Sequence, residues 1–251
     1  MKQRFSRAVR FGCRNYLRGA AIFCIILLLL NVVFMTVIPA VFDGGSSFTG
    51  WGMLCAFFLL VLGIAGFREN HRMFAQNGVS RRTGFWADIA ALVITSAALA
   101  LFGELLMAVM QALTQGSNDY FVADLYQLIY QDVAEVVTTL TLSQHVISGL
   151  FNFTLFLLVA LFGEWFSALF WRLNKFWTIA AGVLFFAGCN LLPWLLVQSP
   201  ILGPILIRAG ESLVLFVLTS PWNAMLIFLS ISAFFGLFNW LLLRNTCLRG
   251  I

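Results

Sequence analysis

Residues 146–171 read VISGLFNFTLFLLVALFGEWFSALFW. Glu164 is the only charged residue in this stretch, which is longer than the ~20 residues that a helix needs to cross a bilayer. The stretch therefore predicts a membrane-spanning helix.

The rest of the composition extends this prediction to the whole chain. Of its 251 residues, 61% are hydrophobic and 10% are charged, against about a quarter charged in a soluble domain. A single core cannot hide so much apolar surface, so lipid must solvate much of it. We expect an all-α polytopic membrane protein in which residues 1–251 form one transmembrane domain.

Five further apolar stretches bring the expected number of spans to six. The six spans cover approximately residues 19–42, 50–67, 84–113, 146–171, 176–197 and 222–243. All but one of the 15 Lys and Arg residues then fall on one side, and Arg208 is the exception. Because Lys and Arg concentrate in cytoplasmic loops, both termini are expected in the cytoplasm.

Residues 1–18 carry a helical charge pattern. Arg4, Arg7, Arg14 and Arg18 fall on one narrow arc at 100° per residue. Such a basic amphipathic helix lies in the membrane interface, where arginines meet anionic lipid headgroups. We expect an interfacial helix that precedes the first span.

Residues 114–145 form a polar, acidic segment without Lys or Arg, expected outside the cell. Within it, apolar residues recur at helical spacing and predict a surface helix. These residues are Val122, Leu125, Ile129, Val133 and Val136.

Residues 199–220 are apolar but contain Pro200, Pro204, Arg208 and Glu211. A seventh span here would place an Arg within the bilayer, which costs several kcal/mol, and would move the basic tail outside. Re-entrant helices before the last span fit better, with Arg208 and Glu211 paired three residues apart on one helix face.

The sequence has no recognisable catalytic or metal site. A P-loop needs a Gly-rich turn ending in Lys, but Lys2 and Lys175 do not follow glycines, and no HExxH or GxSxG sequence occurs. The five cysteines lack metal-site spacing and are expected to be buried apolar residues. The basic residues follow the membrane topology and give no sign of nucleic-acid binding. We therefore expect no enzyme activity and no cofactor on this chain.

Glu104 and Glu164 are the carboxylates placed deepest in the predicted spans. An intramembrane carboxylate is a functional candidate, and an interhelical hydrogen bond is the structural alternative. In antiparallel spans, Glu104 lies near the outer interface, whereas Glu164 lies about 12 Å above Arg172. The two carboxylates are therefore expected at different depths.

Residues 68–82, between the second and third spans, read RENHRMFAQNGVSRR. Residues 68–76 are expected to form a short helix that stops at Asn77-Gly78, where the glycine adopts a left-handed conformation. Ser80 can then cap the next helix. A stiff, charged helix of this kind can transmit force from a cytoplasmic partner, and a plain solvated loop is the alternative.

The phrase FAQNGVSRRT at residues 74–83 resembles the coupling-helix region of permease subunits in bacterial type-2 ATP-binding-cassette (ABC) exporters. FWRLNK at residues 170–175 is similar to the segment that closes the fourth span in those proteins. The resemblance implies a bacterial cytoplasmic-membrane location, a second permease copy or homologous permease, and separate ABC ATPase subunits that carry ATP and Mg. It implies that ATPase docking involves Arg68, Glu69, Arg72, Phe74, Gly78, Arg81 and Arg82, with Phe74 as the apolar anchor. A second cytoplasmic loop would contribute Arg172, Asn174 and Lys175.

We therefore expect the membrane-spanning subunit of an ABC exporter, for which peptides, lipids and hydrophobic drugs all remain candidate substrates. One rival is a secondary transporter or channel without an ATPase, in which Glu164 is a proton or ion site. The other rival is a membrane assembly or immunity subunit that transports nothing.

Overall fold

The computed structural model describes residues 2–41, 46–114, 120–131, 140–171 and 202–244, together with positions 180, 182 and 188. The helices are α1 (Lys2–Val41), α2 (Trp51–Gln76), α3 (Arg81–Thr114), α4 (Leu125–Tyr130), α5 (Leu142–Trp171), α6 (Leu202–Thr219) and α7 (Pro221–Arg244). The strands are β1 (Ser46–Thr49) and β2 (Tyr120–Ala123).

Among the described residues, five helices are long and apolar enough to cross a membrane: α1, α2, α3, α5 and α7. The chain is therefore an all-α polytopic membrane protein, as predicted. The last four of these helices coincide with the spans predicted at 50–67, 84–113, 146–171 and 222–243. Apart from positions 180, 182 and 188, which are helical, the predicted span at 176–197 and the loop at 172–175 lie outside the described residues.

The bundle has two distinguishable ends. At the turn end, residues 77–80 connect α2 to α3, and Arg81 Nη1 donates to the carbonyl oxygen of Arg244 at the end of α7 (3.2 Å). At the sheet end, β1 follows α1 and β2 follows α3, and the two strands pair in parallel with Ser46 opposite Tyr120. α1 and α3 thus run from the turn end to the sheet end, and α2, α5 and α7 run the opposite way.

The predicted interfacial helix is not a separate element, because α1 is one continuous helix from Lys2 to Val41. Nothing between Arg18 and Gly19 breaks it, and this part of the helix packs closely inside the bundle. A Cβ at Gly12 would lie 3.0 Å from the Cβ of Ala91 in α3. The arginines of the basic stretch are exposed on the opposite face. The predicted arc of arginines is therefore confirmed as one exposed face, and the predicted separate helix is wrong.

The predicted surface helix at 122–136 is also wrong at its start. Val122 lies in β2, where its backbone pairs with Phe48 of β1, and the helix begins only at Leu125. Pairing with β1 and burial of Asp124 interrupt the helical pattern. Val133 and Val136 lie outside the described residues.

Helices α6 and α7 are separated only by Ser220. In α6, Arg208 and Glu211 are both exposed, and no ion pair joins them in the described part of the chain, so the predicted pair is not formed. Exposed ion pairs gain little over separate hydration of the two charges, which explains why their spacing alone does not bring them together.

The most extensive helix–helix contact, between α2 and α5, depends on two glycines. A Cβ at Gly63 would collide with the carbonyl oxygen of Ala160, and one at Gly163 would lie 2.5 Å from that of Leu60. Glycines allow helix backbones to approach this closely, a common feature of membrane helix packing. This reciprocal contact lies beside the main apolar core, which includes Leu59 and Phe156.

Candidate functional site

The turn between α2 and α3 has the local structure that the sequence predicts, but residues 68–76 are the end of the continuous helix α2 and not the separate short helix expected there. Asn77 ends α2 with its N–H donating to the carbonyl oxygen of Met73 (3.1 Å), and Gly78 has φ +63°. Ser80 Oγ accepts a hydrogen bond from the backbone N–H of Thr83 (3.3 Å), which caps α3. The turn is therefore set by hydrogen bonds and by the glycine rather than being an unstructured loop.

The outer face of this turn is charged and open. Arg68, Glu69, Arg72 and Gln76 are exposed and line a groove of about 500 Å³ together with Ala65 and Met73. Arg81 and Arg82 are exposed at the start of α3.

Phe74 lies on the inner face of the same helix. Its side chain is only 5% exposed and packs against Ala8 of α1 and Ala87 of α3. The helical period places it on the face of Phe67, seven residues earlier, and away from the arginines. The predicted role of Phe74 as an exposed docking anchor is therefore revised, because its ring joins three helices of the chain.

A buried group of polar side chains lies near the turn and is called the turn-end cluster. It draws residues from all five long helices and consists of Tyr16, Asn70, His71, Asp88, Glu164 and Asn239. At its centre is Asp88, which is 1% exposed. Asp88 Oδ1 accepts hydrogen bonds from the Tyr16 hydroxyl (2.9 Å) and the Asn70 amide (2.7 Å).

Glu164, which is 2% exposed, reaches the same cluster from α5. Its carboxyl group lies next to that of Asp88. Its other contact is long, with Asn239 Nδ2 at 3.5 Å from Glu164 Oε2. The structure therefore brings together two carboxyl groups from α3 and α5.

His71 connects this pair to the turn. Its Nδ1 lies 3.0 Å from the carbonyl oxygen of Phe67 and 3.4 Å from Asp88 Oδ2. Since a carbonyl oxygen only accepts hydrogen bonds, Nδ1 carries a hydrogen. Nε2 is buried and has no hydrogen-bond partner among the described residues.

Asp88 is a site residue that the sequence motifs do not indicate, although a comparison of depths along the helices would have found it. Asp88 lies seven residues from the start of α3, and Glu164 lies seven residues from the end of α5. At 1.5 Å per residue, both lie about 10 Å from the turn end of their helices. That comparison needs the helix ends, which the sequence gives only approximately.

A second buried group, the sheet-end cluster, lies at the opposite end of the bundle. It comprises Glu104, Asp124, His145, Ser148 and Asn152. Asn152 Nδ2 lies 3.2 Å from Glu104 and 2.6 Å from Asp124, and Ser148 Oγ lies 2.6 Å and 2.9 Å from the same two carboxylates. His145 Nδ1 lies 3.1 Å from Glu104 Oε2.

Helix α4 is held beside this cluster by hydrogen bonds of two of its side chains. Gln127 Oε1 accepts hydrogen bonds from the backbone N–H of Asp124 (3.0 Å) and from Gln111 Nε2 (3.1 Å). The Tyr130 hydroxyl donates to the carbonyl oxygen of Val217 in α6 (2.9 Å). Burial raises the pKa of both Tyr126 and Tyr130, and the neighbouring Tyr126 raises the pKa of Tyr130 further. Both hydroxyls therefore remain protonated.

Glu104 and Glu164 lie in different clusters, in agreement with the different depths predicted for them. The 16 positions from Ser148 to Glu164 correspond to about 24 Å of helix, and apolar side chains fill the region between the clusters. Cys13, Cys24 and Cys55 are free thiols. Within the described ranges, no group of three or more His, Cys, Asp and Glu is placed to hold a metal ion.

Comparison with known proteins finds no matching family model, no matching curated protein and no matching solved structure. The function must therefore be inferred from the residues of the chain itself.

Proposed function

We propose that this chain is the membrane-spanning subunit of a bacterial ABC exporter, with the turn end in the cytoplasm. The supporting observation is the two-sided construction of residues 68–76. Their outer face is exposed and charged, whereas their inner face holds Phe74 against α1 and α3. A partner that pushes on the outer face would therefore act on three helices at once.

In this proposal, residues 68–76 dock on a separate ATPase subunit. Arg68, Glu69, Arg72 and Gln76 contribute the polar surface, and Phe74 transmits displacement to α1 and α3. Helix α2 is continuous from Trp51 to Gln76, so movement of its docked end also reaches the sheet end of the bundle. The Gly78 turn passes the same movement to the start of α3.

The complete assembly contains two ATPase subunits and a second permease, either a copy of this chain or a homologue. ATP and Mg bind the ATPase subunits. The chain itself contributes six spans, with residues 199–220 forming the re-entrant outer segment before the last span. Arg172, Asn174 and Lys175 form a second contact with the ATPase.

The first experiment is purification of the tagged chain from its native membranes and identification of the ATPase that accompanies it. Arg68→Gln combined with Arg72→Gln removes two charges from the docking face. Because Arg side chains in an interface commonly contribute more than 1 kcal/mol each, we expect at least about a tenfold loss of ATPase binding. Arg10→Gln combined with Arg14→Gln is the matched control, since both arginines are exposed on α1.

Equal ATPase binding by the two double variants contradicts docking through residues 68–76. Transport by the purified chain in liposomes with an ion gradient and no ATPase contradicts the exporter proposal itself. That result favours a secondary transporter.

Gly78→Val tests coupling separately from docking. The φ of +63° at Gly78 is unfavourable for a β-branched residue and costs about 1–2 kcal/mol. We expect ATPase binding to persist while the ATP-dependent change in thiol labelling of Met53→Cys, at the other end of α2, is lost. Unchanged ATP-dependent labelling in Gly78→Val shows that the turn does not carry the movement.

A further inference from the structure

We propose that the turn-end cluster is a proton-binding site, in which one proton is shared by Asp88 and Glu164 and exchanges with water at the turn end through His71. The proposal applies to the chain with or without an ATPase partner.

The contact between the two carboxyl groups is the first argument. They are 1% and 2% exposed, and no Lys or Arg forms an ion pair with either of them in the described part of the chain. Two ionised carboxylates in contact inside a bilayer would carry a large desolvation and repulsion penalty. A single proton between them removes one charge and allows one carboxyl group to donate a hydrogen bond to the other.

The distribution of donors shows which carboxyl group holds the proton. The groups facing the pair are the Tyr16 hydroxyl from α1, Asn70 and His71 from α2, and Asn239 from α7. Asp88 Oδ1 accepts two short hydrogen bonds and Asp88 Oδ2 lies 3.4 Å from His71 Nδ1, whereas the donor nearest to Glu164 is Asn239 Nδ2 at 3.5 Å among the described residues. Donors stabilise the ionised form, so Asp88 carries the charge and Glu164 carries the proton.

A cavity beside His71 provides the route for exchange. It has a volume of about 230 Å³ and lies at the turn, where Ser80, Arg81 and Trp171 also line it. This volume is several times the ~30 Å³ that one water molecule occupies in the liquid, and the polar side chains can hydrogen-bond to water. The cavity can therefore hold water.

The imidazole of His71 can move a proton from this cavity to the pair. Nε2 is buried in the resting structure, so the ring must first turn toward the cavity, where Nε2 accepts a proton from water. The resulting imidazolium releases its Nδ1 proton toward Asp88 Oδ2, which lies 3.4 Å away at rest, and the proton passes on to Glu164. On a further turn toward the cavity, the ring takes a proton from water at Nδ1 and gives its Nε2 proton to water, which restores the Nδ1–H form.

Loss of the shared proton would leave two adjacent negative charges between α3 and α5. The folded bundle holds this proton at pH values where separated carboxyl groups are ionised, so it binds more protons than the unfolded chain. Its stability therefore falls as pH rises through the range in which the proton leaves.

Infrared spectroscopy of the purified chain in lipid nanodiscs detects the proton directly. We expect a carbonyl stretch from a protonated carboxylic acid that persists at neutral pH and shifts in ²H₂O. Glu164→Gln, which resembles the protonated acid in shape, should remove this band. Glu104→Gln is the matched control and should leave it, because Glu104 accepts hydrogen bonds from Ser148 and Asn152.

Absence of the band in the wild-type chain, or its persistence in Glu164→Gln, overturns the proposal. So does a melting temperature that is independent of pH but rises with sodium concentration, since the pair would then bind a metal cation. We expect the wild-type melting temperature to fall from pH ~6 to pH ~9. In Glu164→Gln this dependence should be largely lost. Asp88→Asn provides a second variant with the same expectation.

The exchange route has its own test. His71→Phe keeps a ring in the same place but cannot carry a proton, so the ²H₂O shift of the acid band should become at least about tenfold slower. The band itself should remain. An unchanged exchange rate shows that water reaches the pair without His71 and overturns that part of the proposal.

Discussion

The sheet-end cluster places two side-chain donors between two carboxylates, whereas the turn-end cluster places two carboxyl groups next to each other. At the sheet end, the Asn152 amide has two hydrogens and the Ser148 hydroxyl has one, and both side chains lie between Glu104 and Asp124. At the turn end, the two short hydrogen bonds both reach Asp88.

The difference shows that burial alone does not decide the state of an intramembrane carboxyl group. What matters is how many donor hydrogens reach each carboxyl oxygen, because a donor offsets the lost hydration of the charge. Glu104 and Glu164 look equivalent in the sequence, each following the residues ALFG, yet they have opposite surroundings. The variants below separate the two clusters, beginning with the change that should disrupt both.

Gly63→Ala should have the largest effect, because its Cβ would collide with the backbone of α5, which carries residues of both clusters. Overpacking typically costs 1–3 kcal/mol. Because backbone cannot move aside as a side chain can, we expect the free energy of unfolding to fall by about 3 kcal/mol. Gly210→Ala is the control, since a Cβ there meets nothing within 4 Å. Unfolding in mixed micelles measures the free energy of unfolding of both variants. Equal values would show that α2 and α5 can move apart at residue 63 without loss of stability.

Asp124→Ala should destabilise the sheet-end cluster alone. It removes the carboxylate that faces Ser148 and Asn152, and we expect a loss of about 2 kcal/mol. Asp124→Asn keeps the shape and one oxygen acceptor, so its loss should be smaller. The same unfolding measurement applies, and the slope of melting temperature against pH should match that of the wild type. A changed slope would mean that the two clusters are coupled.

Tyr16→Phe should weaken the turn-end cluster by about 1.5 kcal/mol, because its hydroxyl donates to the charged Asp88. Tyr130→Phe is a matched control that removes a hydroxyl at the same distance, 2.9 Å, from the neutral carbonyl oxygen of Val217. We expect the control to lose about 1 kcal/mol or less. A larger loss in the control would contradict an ionised Asp88.

Ser80→Ala should have the smallest effect, about 0.5–1 kcal/mol, because it removes one cap at the start of α3. The cap lies outside both clusters, so the infrared acid band should be unchanged. Loss of the band in this variant would show that the position of Asp88 depends on the first turn of α3. Ser80→Thr, which keeps a capping hydroxyl, should restore most of the stability.

The long helices and the turn were predictable because their signals are local. A run of apolar residues is sufficient for a span, and Gly78 and Ser80 act through their immediate neighbours. Continuity of α1 was not predicted, because a change from basic to apolar residues looks like a boundary even though the backbone has no reason to break there.

The functional clusters were harder to predict because they depend on contacts between distant residues. Asp88 meets Glu164 only when the depths and rotations of α3 and α5 are both known. The resemblance to a docking segment predicts an exposed Phe74. The helical period instead turns its ring away from the arginines and into the bundle, where it is buried. Strand β2 depends on β1, more than 70 residues earlier, a pairing that no local pattern indicates.

The reciprocal contact of Gly63 and Gly163 restricts the relative motion of α2 and α5 to few degrees of freedom. Because each backbone fills the space that the glycine of the other helix leaves, α2 and α5 cannot slide along each other without first moving apart. A displacement of α2 along the membrane normal must therefore carry α5 with it.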